Sequence, residues 1–152
     1  MTREELEHII RASAEVTGQY EFVIIGSQSM LGAVPNPERI FTVSMEVDIY
    51  PLQSPDLADK IDGSIGEGSL FHETHGYYAQ GVGPNTAILP RDWMSRVHRV
   101  QNRQTKDREF CSALLKYGYL SPEDVIDKIP IMPIGEEDQK RLLSRIRRWA
   151  KP

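Results

Sequence analysis

The stretch "FVIIGSQSMLG" at residues 22–32 changes character in its middle. Phe22, Val23, Ile24 and Ile25 are four consecutive apolar residues, which suits a short buried strand over 20–25. Gly26-Ser27 stops that strand, and the residues after it open a helix at once instead of making an ordinary surface turn. On the N-terminal side, Thr2 and Glu5 have the spacing of a capping box. Leu6, Ile9, Ile10 and Ala14 follow at helical spacing, which predicts a helix over 3–17. On the C-terminal side, Pro35-Asn36-Pro37 ends whatever begins at Ser27, and residues 41–50, rich in β-branched side chains, read as a second strand.

Further along, Ser54-Pro55 is a cap followed by proline at the first helical position, starting a helix that ends near Gly63. Gly63, Gly66 and Gly68 suggest a loose connection. Strands are expected over 77–82 and 86–89, around a Gly83-Pro84-Asn85 turn, and helices over 107–117, 121–128 and 135–149. The order of elements predicts an α+β domain spanning 1–152: a small mixed or antiparallel sheet flanked by helices, with a helical C-terminal part from about 107.

A chain of 152 residues, 39% of them hydrophobic, is sufficient for one ordinary core. No apolar run approaches the roughly 18 residues that a membrane span needs, and Met-Thr-Arg-Glu-Glu at the start lacks the apolar segment of a secretory signal, so the expected location is the cytoplasm. The single cysteine, Cys111, excludes an internal disulfide and reads as a small buried hydrophobe. The net charge of −4 is unevenly spread: residues 1–75 hold 4 Lys and Arg against 13 Asp and Glu, and residues 76–152 hold 14 against 9. Such a division suits a polyanionic ligand held with cations, and solvated helix faces account for it equally simply. In the last helix, Leu142, Leu143, Ile146 and Trp149 form an apolar stripe, with acids at its start and Arg145, Arg147 and Arg148 at its end. Packing and the helix dipole explain that pattern.

The second strand contains Ser44-Met45-Glu46-Val47-Asp48-Ile49-Tyr50. Side chains alternate along a strand, which puts Glu46 and Asp48 on one face and Met45, Val47 and Ile49 on the other. Two neighbouring carboxylates repel unless a proton or a hard divalent cation lies between them.

A strand ending in Gly-Ser, a short helix and a second strand bearing two alternate acids together resemble the nucleotidyltransferase superfamily. The resemblance covers about residues 20–118. Ile88-Leu89-Pro90-Arg91-Asp92-Trp93 and Lys106-Asp107-Arg108-Glu109-Phe110 look like later segments of small bacterial nucleotidyltransferase-like proteins, some of them neighbours of toxin-antitoxin systems. It implies a nucleotidyltransferase-like fold in which Gly26 lets the backbone approach a triphosphate, Ser27 offers a hydroxyl and an amide, and Lys106 reaches the same phosphates. It also implies that Glu46 and Asp48 hold Mg²⁺ (or Mn²⁺) and serve as the catalytic pair. The implied partners are an NTP and a hydroxyl acceptor on RNA, protein or a small molecule.

The sequence departs from the family pattern in two places. The usual pair is Asp-x-Asp, whereas Glu46 carries an extra methylene that moves its carboxylate outward by about one bond length, roughly 1.5 Å. The third carboxylate that active members often supply has no equivalent in residues 77–82, where Gln80 occupies the expected position. Either the base comes from elsewhere, for example Asp92 or Asp107, or catalysis is feeble or absent, as in a binding module that serves a partner protein as antitoxin or regulatory subunit. His72 and His75 lack the spacing of a zinc hydrolase and read as surface or loop residues. Tyr50, Tyr77 and Tyr78 read as packing residues that are also able to stack on a base.

Overall fold

A computed structural model describes residues 1–84, 101–132 and 134–150, with the side chains of 101–107 outside the description. The chain divides into two compact units, Met1–Ile88 and Leu89–Pro152. Both helices and strands are present: seven α-helices and one three-stranded mixed sheet among the described residues. None of those helices is long and apolar enough to cross a membrane.

The first unit begins with α1 (Arg3–Thr17), whose start is built as the sequence predicts. Thr2 Oγ1 accepts from Glu5 N–H at 3.3 Å, Thr2 N–H donates to Glu5 Oε2 at 2.7 Å, and Gly18 closes the helix at φ 69°. Its stripe of Leu6 and Ile9 is buried. Three strands follow: β1 (Phe22–Ile25), β2 (Glu46–Pro51) and β3 (Tyr78–Gly81). β2 is central, antiparallel to β1 and parallel to β3. A parallel pair needs a long crossover. Here it consists of α3 (Ala58–Ile65) and α4 (Leu70–His75). Val47 and Ile49 on β2 pack with Ile9, Leu31, Ile61, Ile65 and Ala79 into the main core.

Gly81 has a structural task in this packing. An added Cβ there would stand 2.0 Å from the carbonyl oxygen of Ala58, so only glycine lets the start of α3 lie against β3.

Several local expectations are corrected. The second strand starts at Glu46 and not at 41, because β1 and β3 offer partners only to residues 46–51. Ahead of it, Arg39–Phe41 form a 3₁₀ turn that buries Phe41. Met45, expected to share a strand face with Val47 and Ile49, precedes the strand and is 58% exposed. The helix expected from Pro55 opens as a 3₁₀ turn, Pro55–Leu57, with no capping bond from the Ser54 side chain, and becomes α-helical only at Ala58. Where the glycines suggested a loose connection, Gly63 lies inside α3 and α4 follows directly. α4 is capped by Ser69 Oγ, which accepts from His72 N–H at 3.2 Å, and is ended by Gly76 at φ 77°. The strand expected over 86–89 lies outside the described residues.

In the second unit, α5 (Gln101–Lys116), α6 (Pro122–Lys128) and α7 (Glu136–Trp149) match the three expected helices, although α5 begins earlier. Ser121 Oγ caps α6 by accepting from Asp124 N–H at 3.0 Å, with Pro122 in the first turn. Among the described residues, Ala113, Ile129 and Ile146 are the buried apolar side chains of these helices and of the turn between α6 and α7. Cys111, expected to be buried, is only half-buried.

Candidate functional site

Strand register decides what lies beside the Gly-Ser turn. In the antiparallel pair of β1 and β2, Ile25 is opposite Asp48, so the next residue, Gly26, leaves the sheet beside that carboxylate. Asp48 Oδ2 is 3.0 Å from the position a Cβ on Gly26 would take. The backbone there has φ 74° and ψ −160°, a combination essentially restricted to glycine. The conformation therefore disfavours any side chain at position 26, and a Cβ there would push the Asp48 carboxylate aside by a few tenths of an ångström.

The turn is internally tied. Ser29 Oγ donates to the Gly26 carbonyl at 2.7 Å, and Ser29 N–H reaches the same oxygen at 3.3 Å. Gln28 Nε2 donates to Ser27 Oγ at 3.2 Å. Gln28 is only 2% exposed, and its Oε1 has no hydrogen-bond partner among the described residues. Downstream there is a 3₁₀ turn, Ser27–Ser29, and a single α-turn, α2 (Met30–Ala33), so the segment is too short for a substantial macrodipole.

Glu46 and Asp48 lie two residues apart on β2, roughly 6.6 Å along the strand. Both are half-buried, and the intervening Val47 is buried in the core on the opposite face. The parallel register with β3 puts Tyr78 beside Glu46 and Gln80 beside Asp48. Tyr78 O–H donates to Glu46 Oε2 at 3.1 Å. Gln80 is exposed and neutral at the position expected for a third carboxylate. Among the described residues no group of three or more His, Cys, Asp or Glu side chains is arranged to hold a metal ion.

No family model, curated protein or solved structure matches this chain.

Gly26, Ser27, Glu46 and Asp48 all belong to the first unit, and register brings Gly26 and Asp48 into direct proximity. Lys106 is on α5 in the second unit, with its side chain outside the description; the same holds for Asp107, and Asp92 lies wholly outside it. Tyr78, expected as a packing residue able to stack on a base, is a hydrogen-bond partner of Glu46. Alternation along β3 makes its face legible, but the register that puts it opposite Glu46 is a long-range property.

The histidines are more structured than expected. His72 Nδ1 accepts from Gly68 N–H at 3.0 Å, and its ring lies 4.6 Å from that of Tyr78. His75 meets His8 edge-on at 4.7 Å, in a cluster with Phe71 and Tyr77 that joins α1, α4 and the start of β3. His8 Nδ1 and Tyr77 Oη are 2.7 Å apart. Burial raises the pKa of the Tyr77 hydroxyl above its ordinary value; Glu5 adds to the rise and Arg11 opposes it.

Proposed function

We propose that this chain is a minimal nucleotidyltransferase, dependent on Mg²⁺ or Mn²⁺, which moves a nucleoside monophosphate from an NTP onto a hydroxyl of a protein, RNA or small molecule. The observation that carries this reading is the position of Asp48 Oδ2, 3.0 Å from where a Cβ on Gly26 would stand. A phosphate-accommodating turn and a cation-holding carboxylate must share one pocket for this chemistry, and the adjacency of Gly26 and Asp48 supports that reading.

The donor set fits the cation. Mg²⁺ commonly takes one or two carboxylates and completes its octahedron with water and substrate phosphate, so a pair of acids suffices without a third protein ligand. Glu46 and Asp48 would hold it. When bound, it supplies Lewis-acid polarisation of phosphate oxygens and a lowered pKa for an acceptor hydroxyl. Gly26, lacking a side chain, leaves room for the Asp48 carboxylate against the turn, and Ser27 would offer its hydroxyl to a phosphate alongside. With Ser27 Oγ already accepting from Gln28, its own proton is directed to another acceptor, as a phosphate oxygen requires.

A second reading has its own observation. Gln80 lies directly across from Asp48, where a carboxylate would complete a three-acid site, and an amide cannot take up a proton as a general base. That favours a nucleotidyltransferase-like module without catalysis, binding a partner protein as antitoxin or regulatory subunit. Incubation with each labelled NTP, Mg²⁺ or Mn²⁺ and a cell extract separates the two. Label transfer lost in Asp48→Asn supports the enzyme; absence of transfer under every condition, with co-purification of another protein, supports the module.

A further inference from the structure

Glu46 is one methylene longer than the aspartate expected at its position, and the structure shows what that added length reaches: its Oε2 accepts a hydrogen bond from Tyr78 O–H at 3.1 Å. We infer that Tyr78 is a positioning residue that sets the orientation of the Glu46 carboxylate for a divalent cation, an inference that rests on the reading of Glu46 and Asp48 as a metal-holding pair.

Three features argue for it. First, the contact is set by register, since Glu46 and Tyr78 are direct neighbours in the parallel β2–β3 pair and project from the same face. Second, Tyr78 is itself braced. Gly68 N–H fixes the His72 ring through Nδ1 at 3.0 Å, and that ring lies 4.6 Å from the Tyr78 ring at a tilt of 51°. Third, the hydroxyl engages one carboxylate oxygen and leaves Oε1 for a cation, which suits a monodentate ligand. A long glutamate left unrestrained would lose rotamer freedom on binding a cation whose octahedral geometry is strict. A donor that holds the ligating carboxylate in place beforehand reduces that loss, and outer partners of this kind typically contribute about 10–100-fold in metal affinity.

The test uses Mn²⁺ binding followed by electron paramagnetic resonance on the full chain, with the thermal midpoint of each variant recorded alongside. Tyr78→Phe keeps the ring and removes the hydroxyl, and should weaken Mn²⁺ binding about tenfold without a matching fall in thermal midpoint. Glu46→Asp keeps the charge and shortens the reach. It should weaken binding by a similar factor, although aspartate is a good ligand in itself. The double variant should be no worse than either single one, because both remove the same contact. Equal affinity in the wild-type chain and Tyr78→Phe, or losses that multiply in the double variant, would overturn the positioning role alone. Wild-type Mn²⁺ binding that is absent, or indifferent to Asp48→Asn, would overturn the metal-pair reading and this inference with it.

Discussion

Replacing Gly26 by alanine puts a methyl group 3.0 Å from Asp48 Oδ2, on a backbone at φ 74° and ψ −160°. Gly18 is a useful comparison: its φ is 69°, but a Cβ there meets nothing within 4 Å. Gly18→Ala should therefore lose only the conformational contribution, about 1 kcal/mol, in chemical denaturation. Gly26→Ala should lose more, about 1–3 kcal/mol, and only Gly26→Ala should also perturb metal binding, because the methyl displaces the carboxylate. Equal losses at both positions would deny the approach of Asp48 to the turn. Gln80 permits a gain-of-function counterpart. Gln80→Glu puts a third carboxylate beside Asp48, so the thermal midpoint should fall in metal-free buffer through like-charge repulsion and recover on addition of Mn²⁺. A variant whose midpoint ignores Mn²⁺ would count against a cation at this face.

α1 was legible because everything that specifies it is local: Thr2 with Glu5 at its start, Leu6 and Ile9 along its buried stripe, Gly18 at its end. β2 was overextended for the opposite reason. Thr42 and Val43 have strand-like side chains, but a strand exists only where a neighbour pairs with it, and pairing begins at Glu46. α4 escaped notice because Ser69 and Gly76 bracket only six helical residues, too few to show a period. Once formed, α4 packs its Phe71 and His75 against His8 of α1 and Tyr77 at the start of β3. This junction predicts a pH dependence. Tyr77 has a raised pKa in the folded chain, first through burial and then through Glu5, against the opposing effect of Arg11. An unfolded tyrosine ionises near ~10. The stability it contributes is thus fully present below that pH and is lost as pH rises through the higher folded value. Tyr77→Phe should flatten the alkaline decline measured by denaturation between pH 9 and 11, whereas an unchanged decline would mean that Tyr77 is not the titrating group.

The two compact units divide the candidate residues, with the turn and both acids in Met1–Ile88 and Lys106 in Leu89–Pro152. Within the first unit, the sequence made the turn and the acid pair visible separately, through Gly26-Ser27 and the alternation of Glu46 and Asp48. That they meet depends on Ile25 pairing with Asp48 across an antiparallel register, a long-range choice set by which faces of the sheet are buried. The contact of Tyr78 with Glu46 was hidden for the same reason, since it requires the crossover through α3 and α4 to deliver β3 in parallel. The proposed function requires that this face of the sheet bind a nucleoside triphosphate together with a divalent cation. Calorimetric titration of the full chain with non-hydrolysable ATP, with and without Mg²⁺, is the decisive measurement. Binding that requires Mg²⁺ and is lost in Asp48→Asn is the predicted result; nucleotide binding that ignores both the cation and Asp48, or none with any NTP analogue, would contradict it.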